Sequence, residues 1–166
     1  MCDLETILQD ETVAVVETTV EFDAAAFDRW QTAVEEERNR AVAGIIHDEA
    51  GRLLLVRYHD EGRHEGWRLP GSRVGAVEAF ETRLHSELGE HFDVTVESVR
   101  PSRVHAHTAT HDGEKATFYY VLCAVDPGES PRSAAGNPPG SMTTGWFGEP
   151  PDALVNPDVV APLFDG

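Results

Sequence analysis

Cysteine and lysine are nearly missing from this chain: 166 residues contain two cysteines and one lysine, Lys115. Cys2 and Cys123 stand too far apart to suggest a disulfide framework, and Cys123, inside the apolar run 119–125, reads as a small core residue. Long apolar segments are also lacking. The opening Met1-Cys2-Asp3-Leu4-Glu5 carries no basic stretch, so neither a signal peptide nor a membrane anchor is expected, and the expected location is the cytoplasm. Basic clusters are absent as well. Polyanions are held by such clusters, so nucleic acid polymers and anionic membrane surfaces are excluded as expected partners.

What is abundant is negative charge. Thirty Asp and Glu face 13 basic residues, a formal net charge of −17. Acid excess with arginine retained and lysine almost lost points to a halophilic protein in a cytoplasm of high salt, where screening over a few ångström removes most self-repulsion. The length suits a single domain with a sizeable core. Within it, residues 1–40 read as a strand and helix extension packed on the core, and residues 41–166 as the main body.

Residues 12–20, rich in Val and Thr, read as a strand. Asp23 is a plausible N-cap for a helix running to about Arg38, with Phe27, Trp30 and Val34 at helical spacing. Residues 41–47 and 52–58 read as strands joined by the turn Asp48-Glu49-Ala50-Gly51, and 59–66 as a polar loop. Residues 94–111 and 115–125 form a long hairpin around Asp112-Gly113. Residues 126–144, rich in Pro and Gly, form a loop of a length that is usually functional. Trp146-Phe147 opens a short strand, and 157–163 a final helix or turn. Mixed strands with helices predict an α/β protein of three-layer α/β/α sandwich form with a mixed sheet.

The most informative run is Trp67-Arg68-Leu69-Pro70-Gly71-Ser72, followed by Glu78, Glu87 and Glu90. Residues 77–91 have helical periodicity, with Phe80, Leu84 and Leu88 stacked at i and i+4. At roughly 100° per residue, Arg83, Glu87, Glu90 and His91 fall within an arc of about 100° beside that stripe. Carboxylates next to apolar surface are costly, and a bound cation relieves the cost. This run resembles the box of the Nudix hydrolases, laid from Ser72 to Val94. Glu78, Glu87, Leu88, Glu90 and Val94 match it, as does the preceding Leu-Pro-Gly. Ser72 and Asp93 stand where the box has glycines, Ser86 where it has arginine, and His91 where it has its last glutamate.

The resemblance implies a hydrolase that cuts a phosphoanhydride bond of a nucleoside diphosphate derivative with Mg²⁺ or Mn²⁺. Glu87 and Glu90 would be catalytic and would bind metal, with Glu87 also placed to help the attacking water. The Gly71 carbonyl, His91 and Glu78 would complete or support the metal site. Imidazole at 91 suits Mn²⁺ or Zn²⁺ better than Mg²⁺. Arg57 and Arg68 are candidates to hold phosphate oxygens, since a guanidinium matches them bidentately. Arg83, at i−4 from Glu87, can substitute in part for the missing arginine. The alternative is a catalytically silent Nudix-fold domain that binds a nucleotide. The ligand in either case is a small nucleotide or its derivative, and the N-terminal strand and helix are candidates for a homodimer interface.

Two further groups carry competing readings. His105 and His107 share a strand face, with His111 nearby, and could hold a transition metal; lining a hairpin face is the preferred reading. Trp67, Phe118, Tyr120 and Trp146 could stack on a base, but aromatics in such strands more often fill the core.

Overall fold

The computed structural model describes residues 4–58, 66–75, 79–91, 96–127, 142–155 and 157–164, leaving out the side chains of 58, 91 and 142. Contacts divide the chain into two compact units: Met1–Ala43 with Ser72–Leu84 and Arg100–Cys123, and Gly44–Gly71 with His85–Val99 and Ala124–Gly166.

The first unit begins with a short helix α1 (Leu4–Gln9) that the sequence pattern does not announce. Six residues are too few to be helical alone, and it is anchored by Ile7, 2% exposed. Strand β1 (Ala14–Glu21) follows. All eight of its residues are exposed, which is why residues 12–20 alternate so poorly: no buried face imposes a period of two. Its order comes from parallel pairing with β6 (Val96–His111), in a register from Ala14 opposite Arg103 to Glu21 opposite Thr110.

Helix α2 (Ala24–Glu35) is capped as expected: Asp23 Oδ1 accepts from the Ala26 N–H at 2.7 Å. It ends three residues earlier than Arg38, because the chain turns at Glu37, whose φ is 58°. Its face packs on the hairpin of β6 and β7 (Glu114–Pro127). Phe27 lies against Ala109 and Ala116, with Phe22, Trp30 and Val34 around them, and Trp30 Nε1 donates to the Ala116 carbonyl at 2.8 Å. Replacing Asp23 with Ala is expected to cost about 1 kcal/mol, read as a lower urea midpoint at unchanged slope; no change would mean that the cap adds nothing to α2.

Asp112 and Gly113, with φ of 48° and 82°, supply the two positive φ values of a type I′ turn between β6 and β7. With β2 (Arg40–Ile45) and β5 (Gly71–Arg73), these strands form a five-stranded sheet in the order β1-β6-β7-β2-β5. A two-residue turn forces β6 and β7 antiparallel, so with the parallel β1 this sheet is mixed, as expected.

In the second unit, β3 (Leu53–Tyr58) sits between β4 (Trp67–Arg68) and β8 (Met142–Phe147), antiparallel to both. Leu53, Leu54, Leu55 and Val56 are at most 1% exposed, so this strand is buried on both faces and its sequence shows no alternation. The turn before it is held by Asp48 Oδ1, which accepts from the N–H groups of Ala50 (3.0 Å) and Arg52 (2.8 Å). β2 and β3 belong to different sheets, and the bridge between His47 and Leu53 continues past that turn.

Trp146-Phe147 closes β8 instead of opening a strand, because the register starts at Tyr58 opposite Met142. The preceding Thr-Thr-Gly carries little apolar signal. Trp67 packs edge-on against Phe147, ring centroids 4.8 Å apart, and its backbone is clamped between Ala153 and Val155 by hydrogen bonds of 2.7 and 2.8 Å. Gly66 permits that approach, since a Cβ there would lie 2.8 Å from Val155 Cγ2. The unit ends in α4 (Pro157–Val160) and a 3₁₀ turn over Ala161–Phe164. Among the described residues, no helix is long and apolar enough to cross a membrane. Residues 59–65 and 128–141, read from the sequence as parts of two loops, lie outside the described residues.

Candidate functional site

Helix α3 (Phe80–His91) is built on the stripe that its sequence shows: Phe80, Leu84 and Leu88 are at most 1% exposed. Beside them, Glu87 is only 7% exposed and Glu90 is open to solvent. At i and i+3 these two carboxylates are neighbours on the helix surface. Ionised side chains are seldom buried to the extent of Glu87 without hydrogen bonds, an ion pair or a cation to compensate.

One turn earlier, Arg83 Nε donates to Ser72 Oγ at 3.0 Å, and that hydroxyl donates to the Arg73 carbonyl at 3.2 Å. Two departures from the box thus meet. A serine where the box has glycine gives the arginine, displaced by one turn, an acceptor on the strand after Leu-Pro-Gly. From the sequence Ser72 counts only as a mismatch, and its contact with Arg83 is signalled there only by the pairing of a polar substitution with an unmatched arginine.

The Leu69-Pro70 step separates β4 from β5, the outermost strand of its sheet. Gly44 N–H donates to the Pro70 carbonyl at 2.8 Å and Val74 N–H to the Arg40 carbonyl at 3.0 Å, so residues 70 and 74 direct their backbone groups toward β2. In an antiparallel ladder the direction alternates, and the Gly71 carbonyl therefore points away from β2, off the sheet edge.

Arg57 and Arg68 are both half-buried on adjacent strands. Arg57 is opposite Trp67 and Arg68 opposite Val56, so alternation sends their side chains to opposite faces of the three-stranded sheet. They do not form one clamp. Arg57 Nε is buried with no hydrogen-bond partner among the described residues. Glu78 lies outside the described residues, and His91 closes α3 with its side chain outside them. Among the described residues, no three His, Cys, Asp or Glu side chains gather around one point. The donors that can be placed, two carboxylates and a backbone carbonyl, are all oxygens and suit a hard divalent cation.

The histidines on β6 are arranged differently from a metal site. His105 and His107 stack with ring centroids 6.0 Å apart and planes 12° from parallel, whereas His111 Nδ1 lies 3.0 Å from the Phe22 carbonyl. Burial first, then His107 and Arg103, hold the His105 pKa below the usual 6.5. The unfolded chain therefore takes up this proton more readily than the folded one. The stability is fully present above pH 6.5 and is lost as pH falls from there through the depressed folded value. Denaturant melts at pH 7.5 and 5.5 should show this loss, and His105→Gln should reduce it. An undiminished loss in the variant would place the titrating group elsewhere.

No family model and no curated protein matches the chain. Solved structures do. A MutT Nudix hydrolase from Burkholderia pseudomallei aligns over 74% of this chain and 94% of its own, at 21% identity and a TM-score of 0.55. A MutT protein from Methanosarcina mazei aligns over 79% and 93%, at 17% identity and a TM-score of 0.50. The chain has the Nudix hydrolase fold.

Proposed function

We propose that the protein is a Nudix-type hydrolase that cleaves a phosphoanhydride bond of a nucleoside diphosphate derivative, with Mg²⁺ or Mn²⁺. The observation that carries this reading is Glu87, a carboxylate buried on the apolar edge of α3 beside Glu90, in a chain with the Nudix fold. Residues 41–166 would form the catalytic body and 1–40 an extension of it.

Glu87, Glu90 and the outward carbonyl of Gly71 would hold the cation, with His91 and Glu78 as further ligands or supports. When bound, a divalent ion neutralises charge on the phosphate oxygens and lowers the pKa of a coordinated water. Glu87 would orient and deprotonate the attacking water, whose oxygen bonds to phosphorus as the bridging anhydride oxygen leaves. Arg57 and Arg68, lying on opposite faces of their sheet, would engage different parts of the ligand, and the buried Nε of Arg57 offers a donor for a phosphate oxygen. The hydrogen bond from Arg83 to Ser72 would hold the start of α3 to the strand that follows Leu-Pro-Gly. The acidic surface suits a concentrated salt medium.

The test is incubation at high salt with nucleoside triphosphates, sugar nucleotides and dinucleotides, with Mg²⁺ or Mn²⁺, and separation of products by mass. Metal-dependent cleavage of one class is expected. Saturable binding of one compound with no product under either metal would refute hydrolysis and favour a silent nucleotide-binding domain.

A further inference from the structure

We propose that strand β1 pairs antiparallel with β1 of a second copy of this chain, joining two five-stranded sheets edge to edge. β1 ends the strand order of its sheet, all eight of its residues are exposed, and every large exposed hydrophobic among the described residues lies on it: Val15 (42%), Val16 (39%) and Val20 (49%). An edge strand of eight residues with open backbone groups and three exposed valines is a template for another strand.

The backbone fixes which groups are offered. Phe22 N–H donates to the Thr110 carbonyl at 2.9 Å, one residue before its own register partner, as a parallel ladder requires. Even-numbered residues of β1 therefore bond to β6, and Val15, Glu17, Thr19 and Glu21 turn their N–H and C=O groups outward. Only registers that set these four against one another can form a ladder across a two-fold axis.

Charge selects among those registers. Centring the axis on Glu17 places it opposite its own copy, and centring it on Thr19 places Glu17 opposite Glu21 twice. Like charges directly opposed are destabilising. Centring on Thr18 sets Glu17 against Thr19 and Val15 against Glu21, with about eight backbone hydrogen bonds. On the other face, Val16 meets Val20 twice and Thr18 meets Thr18. This is the one central register with no carboxylate opposite another, and it makes a second copy the fitting occupant.

Each copy carries a formal charge of −17, so the pair is held apart at low salt and released to associate as screening rises. The strand contact alone buries less than the roughly 800 Å² per chain of a standard interface, which makes the dimer dependent on concentration and salt.

Sedimentation of the full chain at low salt and at about 1 M salt, where the Debye length is near 3 Å, should show a monomer shifting to a dimer. Glu17→Pro removes an outward N–H and leaves the ladder to β6 intact. The pair Val16→Asp and Val20→Asp opposes like charges and should weaken association about tenfold or more. A melting curve shows that each variant is folded.

Register is read by cross-linking in a Cys2→Ser background, Cys123 being buried. Thr18→Cys should form a disulfide-linked dimer on mild oxidation, and Thr19→Cys should not. A monomer under all conditions, a dimer untouched by both β1 variants, or equal cross-linking at 18 and 19 would overturn the proposal.

Discussion

Glu87→Gln is expected to lower metal-dependent turnover by about 10²–10⁴-fold while leaving the fold intact. The substitution keeps the size and shape of a side chain that is 7% exposed beside Leu84 and Leu88, so packing is preserved and the change is confined to charge and proton affinity. An amide neither accepts a proton from water nor balances a divalent ion. The measurement pairs single-turnover kinetics under Mg²⁺ and Mn²⁺ with a thermal melt. Full turnover in a folded variant would remove Glu87 from the chemistry. Activity retained under Mn²⁺ alone would make it a metal ligand and not the base. Glu90→Gln separates the roles further, because an exposed ligand lost from the edge should raise the metal requirement more than it lowers the saturated rate.

The second large effect concerns stability. Leu88, next to Glu87 in the sequence, is fully buried, and Leu88→Ala is expected to cost about 2–5 kcal/mol through lost burial and the cavity left behind. For a chain of this length that is a drop in melting temperature of roughly 4–20 °C. Phe80 and Leu84 on the same stripe limit how far α3 can settle into the space. A loss under about 1 kcal/mol would mean that the helix relaxes freely, which is hard to reconcile with a site requiring fixed carboxylates.

Helix α3 and the β6–β7 hairpin were readable because their signals are local: an i, i+4 apolar stripe in one and Asp-Gly between strands in the other. β1 was faint because an edge strand with no buried face has no period to display. The fragments Trp67–Arg68 and Gly71–Arg73 are too short to show any pattern and exist through their neighbours. The site divides in the same way. Glu87 and Glu90 follow from helical spacing, whereas the opposite faces of Arg57 and Arg68 follow from strand register, which no local pattern encodes. The bond between Arg83 and Ser72 spans 11 residues and two kinds of structure, so the sequence presents it as two unrelated mismatches.

The pairing of β1 with β6 also governs when the protein can fold. Phe22 meets His111 across 89 residues, and among the described residues β6 is the sheet neighbour that β1 has. Closing a loop of that length costs about 4 kcal/mol of chain entropy before any strand hydrogen bond forms. During synthesis at roughly 5–20 residues per second, β1 leaves the ribosome several seconds ahead of its neighbour, with the backbone groups that β6 will pair still open as well as its outward ones. Nascent chains on one message would be at greatest risk of tangling through this strand in that interval, and Glu17 and Glu21 disfavour only the registers that set them against each other.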